Sequence, residues 1–327
     1  MGVVSRPRLS IVVPVRNDAR RLALCLASIA RNHAAPDDVE LIVADNGSTD
    51  DSAAVALGAG ARVVRLPDRN VASVRNAGAR VATGGLLAFI DADHEIETGW
   101  IAAALDSLAD EGVTAAGAPY ITPERHSWVQ RAYGGLRRRA ARRCDADWLP
   151  SGNLVVRRSA FDAVGGFDET LDTCEDVDLC DRLRGAGGRL INDPRLRSVH
   201  HGDPASLAAL FRGELWRGRD NLALAMRHRL RLRDLPSVAI PLVDIVSLVA
   251  CLGGLVSASA IGLWISAAAI LVVAALAAVR TRVMVTRLAP APAGVIGLQA
   301  FAVAIVYDIA RALALVVPAS HDQRRRA

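Results

Sequence analysis

The uneven spread of apolar residues constrains this chain more than any other feature. Up to about residue 235 charged and apolar residues are mixed; after it come three long apolar stretches, Ser237 to Val256, Ala260 to Val279 and Ala293 to Pro318. A helix that crosses a bilayer needs about 20 predominantly apolar residues. Ala260 to Val279 supplies 20 of them without a charge. The first stretch carries Pro241 and Asp244 near its start, where closeness to the interface makes them tolerable. The third holds Asp308 and Arg311, three apart on one helical face, where they can pair and lower the cost of burial. That stretch either spans the membrane or lies in the interface. The expected division is residues 1–234 as a soluble domain and 235–327 as a membrane region with two or three transmembrane helices.

Arginine orients this region. Arg227, Arg229, Arg231 and Arg233 precede the first stretch, while Arg280, Arg282 and Arg287 follow the second. Both clusters read as cytoplasmic, giving an in-out-in hairpin. A third span would put Arg324, Arg325 and Arg326 outside, against that tendency. At the N-terminus the apolar run Ile11 to Val13 is too short, and too soon broken by Pro14, Arg16 and Asn17, to act as a signal peptide. The soluble part is therefore expected in the cytoplasm, tethered to the inner membrane of the cell. Cys25, Cys144, Cys174, Cys180 and Cys251 contain no C-x-x-C pair, which fits a reducing compartment. All 39 of the Lys+Arg residues are arginine. That excludes mechanisms built on a lysine Schiff base, a P-loop lysine or the strand lysine of protein kinases. Arginine remains as the permanent cation, suited to forked contacts with phosphate and carboxylate.

Up to residue 235, short β-branched runs alternate with helical segments, the pattern of an α/β domain with a largely parallel sheet. Strands are expected at Ser10 to Val15, Glu40 to Ala44, Ala61 to Leu66 and Leu86 to Ile90, and an amphipathic helix at Asp18 to Ala30 with Leu22, Leu26 and Ile29 on one side. Ligands of open α/β sheets sit beyond the carboxyl ends of the strands. Those ends carry Pro14-Val15-Arg16-Asn17, Asp45-Asn46-Gly47-Ser48-Thr49-Asp50 and Asp91-Ala92-Asp93-His94. On an extended segment Asp91 and Asp93 project to the same side, which suits a divalent cation completed by phosphates and water. Taken alone, such a pair is equally a turn or a helix cap, and so is Asp45. What separates these readings is that all three groups stand at one sheet edge, with Arg75 and Asn76 expected to point toward it from a helix start.

With these residues the chain resembles the family 2 glycosyltransferases of the GT-A fold. The likeness runs from residue 9 to about 220 through SIVVPVRND, VADNGSTDDS, VRNAGARVATGGLLAFIDADHE, PSGNLVVRRSAFDAVGGFDE and CEDVDLCDRLRGAGG. It implies a Rossmann-like, mostly parallel sheet and a nucleotide-sugar donor, usually UDP-linked, bound near Pro14, Arg16 and Asn17. Asp45 would contact the base, Arg75 the base or phosphates, and Asp91 the ribose. Asp93, with Asp91, would hold a Mg²⁺ or Mn²⁺ that bridges the diphosphate. Inverting transfer is one in-line displacement at the anomeric carbon, needing a carboxylate to take the acceptor proton and a cation for the leaving group. Glu175-Asp176 matches the family's E-D motif, with Asp176 as general base; the bland alternative is that Glu175, Asp176 and Asp178 complement a helix N-terminus. In several relatives a histidine completes the metal shell, which makes His200 or His201 a further ligand, His201 being the residue assigned.

Further along, Trp216-Arg217 stands where processive members have Q-x-x-R-W, so processive synthesis is not expected. Arg217 or Arg219 remains suited to clamping the diphosphate. The basic run Arg137 to Arg143 is either a solvated face or a contact for anionic headgroups or a lipid-linked phosphate acceptor. No nucleic-acid-binding motif accompanies these residues, and no nucleic-acid partner is expected. The expected function is a membrane-anchored, inverting, metal-dependent glycosyltransferase acting on a lipid-linked or polysaccharide precursor. The alternative is a non-catalytic membrane-tethered protein that binds a nucleotide sugar or a glycan. A nucleotidyltransferase is disfavoured, since the chain lacks both lysine and the Gly-rich loop near the first strand.

Overall fold

A computed structural model of the chain describes residues 8–32, 38–137, 142–219, 235–288 and 293–317. Among these residues two compact units separate, one from 8–123 and 142–202, the other from 124–137 and 203–317. The arginines between 220 and 234, most of the 137–143 basic run and the last three arginines lie outside the described residues.

The first unit is built on one sheet. Strand β1 (Leu9–Val15) runs parallel to β2 (Val39–Asp45) on one side and to β4 (Leu86–Ile90) on the other, and β3 (Arg62–Arg65) continues the parallel set beyond β2. Direction then changes: β8 (Asn153–Arg157) is antiparallel both to β4 and to β6 (Ala115–Gly117). Strand β9 (Leu190–Asn192) runs parallel to β6, and β7 (Cys144–Asp145) closes the far edge. The result is the mixed, mostly parallel α/β sheet expected. Strand β5 (His94–Ile96) stands apart from it and pairs antiparallel with β10 (Ser198–His200) as a two-stranded ribbon.

Helices α1 (Ala19–Ala30), α2 (Ser52–Gly58), α3 (Val71–Val81), α4 (Trp100–Ser107), α6 (Arg158–Ala163) and α7 (Glu175–Gly185) fill the connections of this unit. Because both faces of the sheet are covered, its central strands are apolar throughout rather than alternating with polar residues. Ile11, Val13, Val15, Val43, Ala88 and Ile90 pack into one core with Leu22, Leu26 and Ile29 of α1. Val12, Ile42, Ala44, Leu87 and Phe89 face the opposite core. There Phe89, Phe161 and Phe167 meet at centroid distances of 5.0–5.5 Å, pairs each contributing about 0.5–1.5 kcal/mol beyond area burial.

The second unit holds α5 (Trp128–Arg137), α8 (Leu207–Arg217), α9 (Leu235–Val256), α10 (Ala260–Leu288) and α11 (Ala293–Leu313). Three segments, Pro236–Val256, Ala260–Leu288 and Ile296–Leu313, are long and apolar enough to cross a membrane, with mean hydropathy 2.2, 2.4 and 1.6. Asp308 and Arg311 do not pair with each other as expected. Arg280 donates to Asp308 Oδ1 at 2.8 Å, and Arg311 Nε donates to Glu214 Oε2 at 2.8 Å. Each charge is thus partnered from another helix. Glu214, fully buried, also accepts from the Tyr133 hydroxyl at 2.6 Å and from Arg217 Nη1 at 3.1 Å.

Candidate active site

The site lies where β1, β2 and β4 end, at the switch point of the 3-2-1-4 strand order. Val15 directs its carbonyl to the β2 side, where it accepts from the Asn46 amide at 2.9 Å. By alternation Pro14 faces β4, and the β1–β4 ladder has already stopped at Val12, so its missing N–H disrupts no ladder bond. Beyond it Asn17 adopts φ +50° and its Oδ1 accepts from the Thr49 amide and hydroxyl at 2.7 and 3.1 Å. The two strand tips are thereby tied together. Arg16 pairs with Asp68 at 3.1 Å. Asp45 is fully buried; its Oδ1 accepts from the Ser48 amide at 2.9 Å. Its Oδ2 has no hydrogen-bond donor and lies 3.5 Å from Arg65 Nε.

Arg75, on α3, turns inward to the junction of the D-x-D and α7. Only 3 % exposed, it donates from Nη1 to Glu175 Oε1 at 2.7 Å and from Nη2 to Asp91 Oδ1 at 2.6 Å. These partners stand 100 and 16 positions away in sequence. A planar guanidinium presents its donors in a fixed fork, so one arginine fixes the D-x-D turn against the first turn of α7. The segment Ser151-Gly152-Asn153 completes this junction one residue at a time. Ser151 Oγ donates to Glu175 Oε1 at 3.0 Å, and the Gly152 carbonyl accepts the Asp91 amide at 3.1 Å. A Cβ at Gly152 would collide with the Asp91 carboxylate. Asn153 Oδ1 accepts from the indole of the fully buried Trp100 at 2.9 Å.

The β5–β10 ribbon sets His94 opposite His200 and brings both rings to Asp93. His200 Nε2 lies 3.3 Å from Asp93 Oδ2 and His94 Nε2 3.8 Å from Oδ1. One donor atom from each of the three lies within 4.8 Å of the other two. At Gly202 a Cβ would overlap the Asp93 carboxylate and crowd His200 Nε2, so this approach requires glycine. Burial alone would raise the Asp93 carboxyl, but His200, then His94 and Arg21, outweigh it and hold it well below the usual carboxylate range. This donor set, a carboxylate and two imidazoles at mutually short distance, fits a divalent metal ion. His201, the residue assigned from the sequence, is not among these three. Its Nε2 lies 2.8 Å from Glu95 Oε1, and His200 takes the place beside Asp93. Asp91 is turned to Arg75 instead of joining this cluster.

Asp176 occupies the first turn of α7, after Cys174, which caps the helix at φ +62°. Left-handed backbone at a non-glycine residue costs on the order of 1–3 kcal/mol and concentrates at functional positions. A helix N-terminus lowers a carboxyl by under about 1 kcal/mol at the surface. Here the opposite effect wins: burial first, and then the neighbouring Glu175 charge, push Asp176 up to about 7. The Val177 amide donates to its Oδ1 at 2.8 Å. Arg217 belongs to the second unit, where it donates to Glu214, and Arg137 in that unit pairs with Asp203 and stacks 4.6 Å over Tyr133. His94 was not singled out from sequence, although its position directly after the D-x-D was the available signal.

Residues 10–165 match the model of glycosyl transferase family 2. The chain carries a glycosyltransferase family 2 domain. The pre-mycofactocin glycosyltransferase of Mycobacterium tuberculosis is 32% identical over 236 residues, covering 67% of this chain and 48% of the relative. The succinoglycan biosynthesis protein ExoU of Rhizobium meliloti is 31% identical over 228 residues, covering 62% of each. This chain thus spans about half the length of the mycobacterial relative. Among solved structures, a mannosyltransferase from Pyrobaculum calidifontis aligns over 93% of this chain and 87% of its own, with a TM-score of 0.61 at 19% identity. Residues 1–349 of S. aureus TarS align over 72% and 79% with a TM-score of 0.51 at 13% identity. Likeness at that identity concerns the fold, and the glycosyltransferase domain has the GT-A fold.

Proposed function

We propose that this chain is a membrane-anchored, inverting glycosyltransferase that moves one sugar from a nucleotide-sugar donor to a lipid-linked or polysaccharide precursor. The observation that carries the proposal is the Asp91–Arg75–Glu175 bridge, with Asp93 and Asp176 one or two residues beyond its ends. It joins the two halves of the chemistry, leaving-group side and base side, through a rigid buried fork. Asp176, with its carboxyl pushed up to about 7, takes the proton of the acceptor hydroxyl, an affinity matched to work near neutral pH. Glu175, held by Arg75 and Ser151, positions it. Asp45, at the end of β2 beside Arg65, is the residue assigned to the base, uracil for a UDP-linked donor, and Pro14, Arg16 and Asn17 frame that end of the site.

Asp93 and His200 would hold the Mg²⁺ or Mn²⁺. When bound, the ion offsets the negative charge gathering on the leaving diphosphate. The donor class agrees with the Pyrobaculum calidifontis enzyme, solved with GDP-Man and Mn²⁺, and with the TarS fragment solved with UDP-GlcNAc. The acceptor class agrees with the part of ExoU in succinoglycan biosynthesis. Residues 235–327 anchor the enzyme in the inner membrane with the catalytic domain over residues 1–234 on the cytoplasmic side, in keeping with the arginines that flank the first two apolar stretches.

The test uses the purified full chain in nanodiscs, a panel of UDP- and GDP-linked sugars, and Mn²⁺. One donor is expected to release nucleoside diphosphate slowly with water as acceptor, and EDTA to stop the release. Binding of a nucleotide sugar without any release in the presence of membrane-derived acceptors would favour the binding-protein alternative. Failure of every nucleotide sugar to bind would overturn the transferase reading and leave glycan binding as the alternative.

A further inference from the structure

Resting on the transferase reading, we propose that His94 is a direct ligand of the same ion, so that the centre is a one-carboxylate, two-imidazole site selecting Mn²⁺ or another first-row transition ion over Mg²⁺. The D-x-D alone offers only oxygen, the chemistry that suits Mg²⁺. In this chain the next residue is a histidine, and the β5–β10 register sets it directly across from His200. Metal–nitrogen and metal–oxygen bonds of about 2.0–2.2 Å put two ligands roughly 3 Å apart when adjacent and roughly 4.3 Å apart when opposite. Separations of 3.3 Å from Asp93 to His200 and 3.8 Å from Asp93 to His94, with all three donor atoms inside 4.8 Å, fit a single ion.

Nε2 of His94 is the nitrogen that faces Asp93. His94 Nδ1 lies 2.9 Å from Ser198 Oγ, and with that hydroxyl accepting, Nε2 carries the lone pair on the side of Asp93 and His200. Ligating histidines are commonly oriented this way through their second nitrogen. The ring, 1 % exposed, is also held edge-on against Tyr120 at 4.7 Å and beside His200 at 4.8 Å. Imidazole favours first-row transition ions, whereas Mg²⁺ keeps oxygen ligands and water. The second imidazole therefore moves the preference away from Mg²⁺.

Mn²⁺ itself is the probe. Pulsed electron paramagnetic resonance of the full chain in nanodiscs, loaded with one equivalent of MnCl₂, counts directly coordinated imidazole nitrogens through their ¹⁴N coupling. Two are expected in the wild type and one in each of His94→Gln and His200→Gln. In competition, the preference for Mn²⁺ over Mg²⁺ is expected to fall at least about tenfold in His94→Gln and in Ser198→Ala, which keeps the ring and removes its orienting partner. One nitrogen in the wild type, none in His200→Gln, or an unchanged preference in Ser198→Ala overturns the assignment. These readouts do not depend on turnover: a two-nitrogen signal without nucleotide-sugar chemistry would count against the transferase and leave His94 a ligand. Turnover with a single nitrogen would do the reverse.

Discussion

Replacing Asp176 with asparagine lowers transfer by about 10²–10⁴-fold, the usual worth of a positioned general base, while nucleotide-sugar binding persists. Asparagine keeps the size and the acceptor for the Val177 amide and removes only the ability to take a proton. In the wild type the carboxyl sits near 7, through burial first and the Glu175 charge second. The rate is therefore expected to fall about tenfold per unit as pH drops below that value and to level off above it. The same shift gives an opposite effect on stability. A carboxyl raised in the folded state contributes stability that is fully present below its unfolded value near 3.8 and is lost as pH rises through about 7. Asp176→Asn is blind to this titration. It is expected to melt with the wild type near pH 4 and above it at pH 8, a crossover that differential scanning in detergent can follow. Equal melting temperatures at both pH values would show that Asp176 carries no raised proton affinity.

Arg75→Met is expected to be the most damaging single change for folding. The arginine is the shared cation of Asp91 and Glu175, both within 2.7 Å of it, and is itself only 3 % exposed. Methionine fills much of the space but leaves two carboxylates facing one another without a counter-charge. Breaking a buried pair by removing one partner costs about 3–5 kcal/mol. For a unit of this size that corresponds to a melting temperature lower by roughly 10 °C. The double variant Arg75→Met/Glu175→Gln is expected to recover part of the loss, because the second change removes one of the orphaned charges. Additive losses in the double variant would mean that the bridge is not the stabilising unit.

The strand ends and the residues they carry were legible in the sequence because each is local: a β-branched run, a break, then a polar group. Leu86–Ile90 was placed to the residue, and the neighbouring strands to within one position at each end. What connects those groups was not legible. Arg75 was expected to reach for a ligand, and nothing in its neighbourhood announces that its partners are Asp91 and a glutamate 100 positions away. The Asp93–His94–His200 cluster was hidden for a related reason. Strands β5 and β10 have three residues each, too few for a periodic pattern, so neither the ribbon nor the choice of His200 over His201 could be derived. In the apolar helices the spacing of Asp308 and Arg311 suggested an internal pair; sequence spacing sees only one helix, whereas Arg280 and Glu214 approach from others.

The displacement itself can be watched by proton NMR. When the full chain hydrolyses an α-linked nucleotide sugar in D₂O with Mn²⁺, the anomeric proton of the freed sugar reports which face of the ring was attacked. A single in-line displacement predicts that the β-anomer appears first and then mutarotates, with wild-type protein and not with Asp176→Asn. Early appearance of the α-anomer would contradict it.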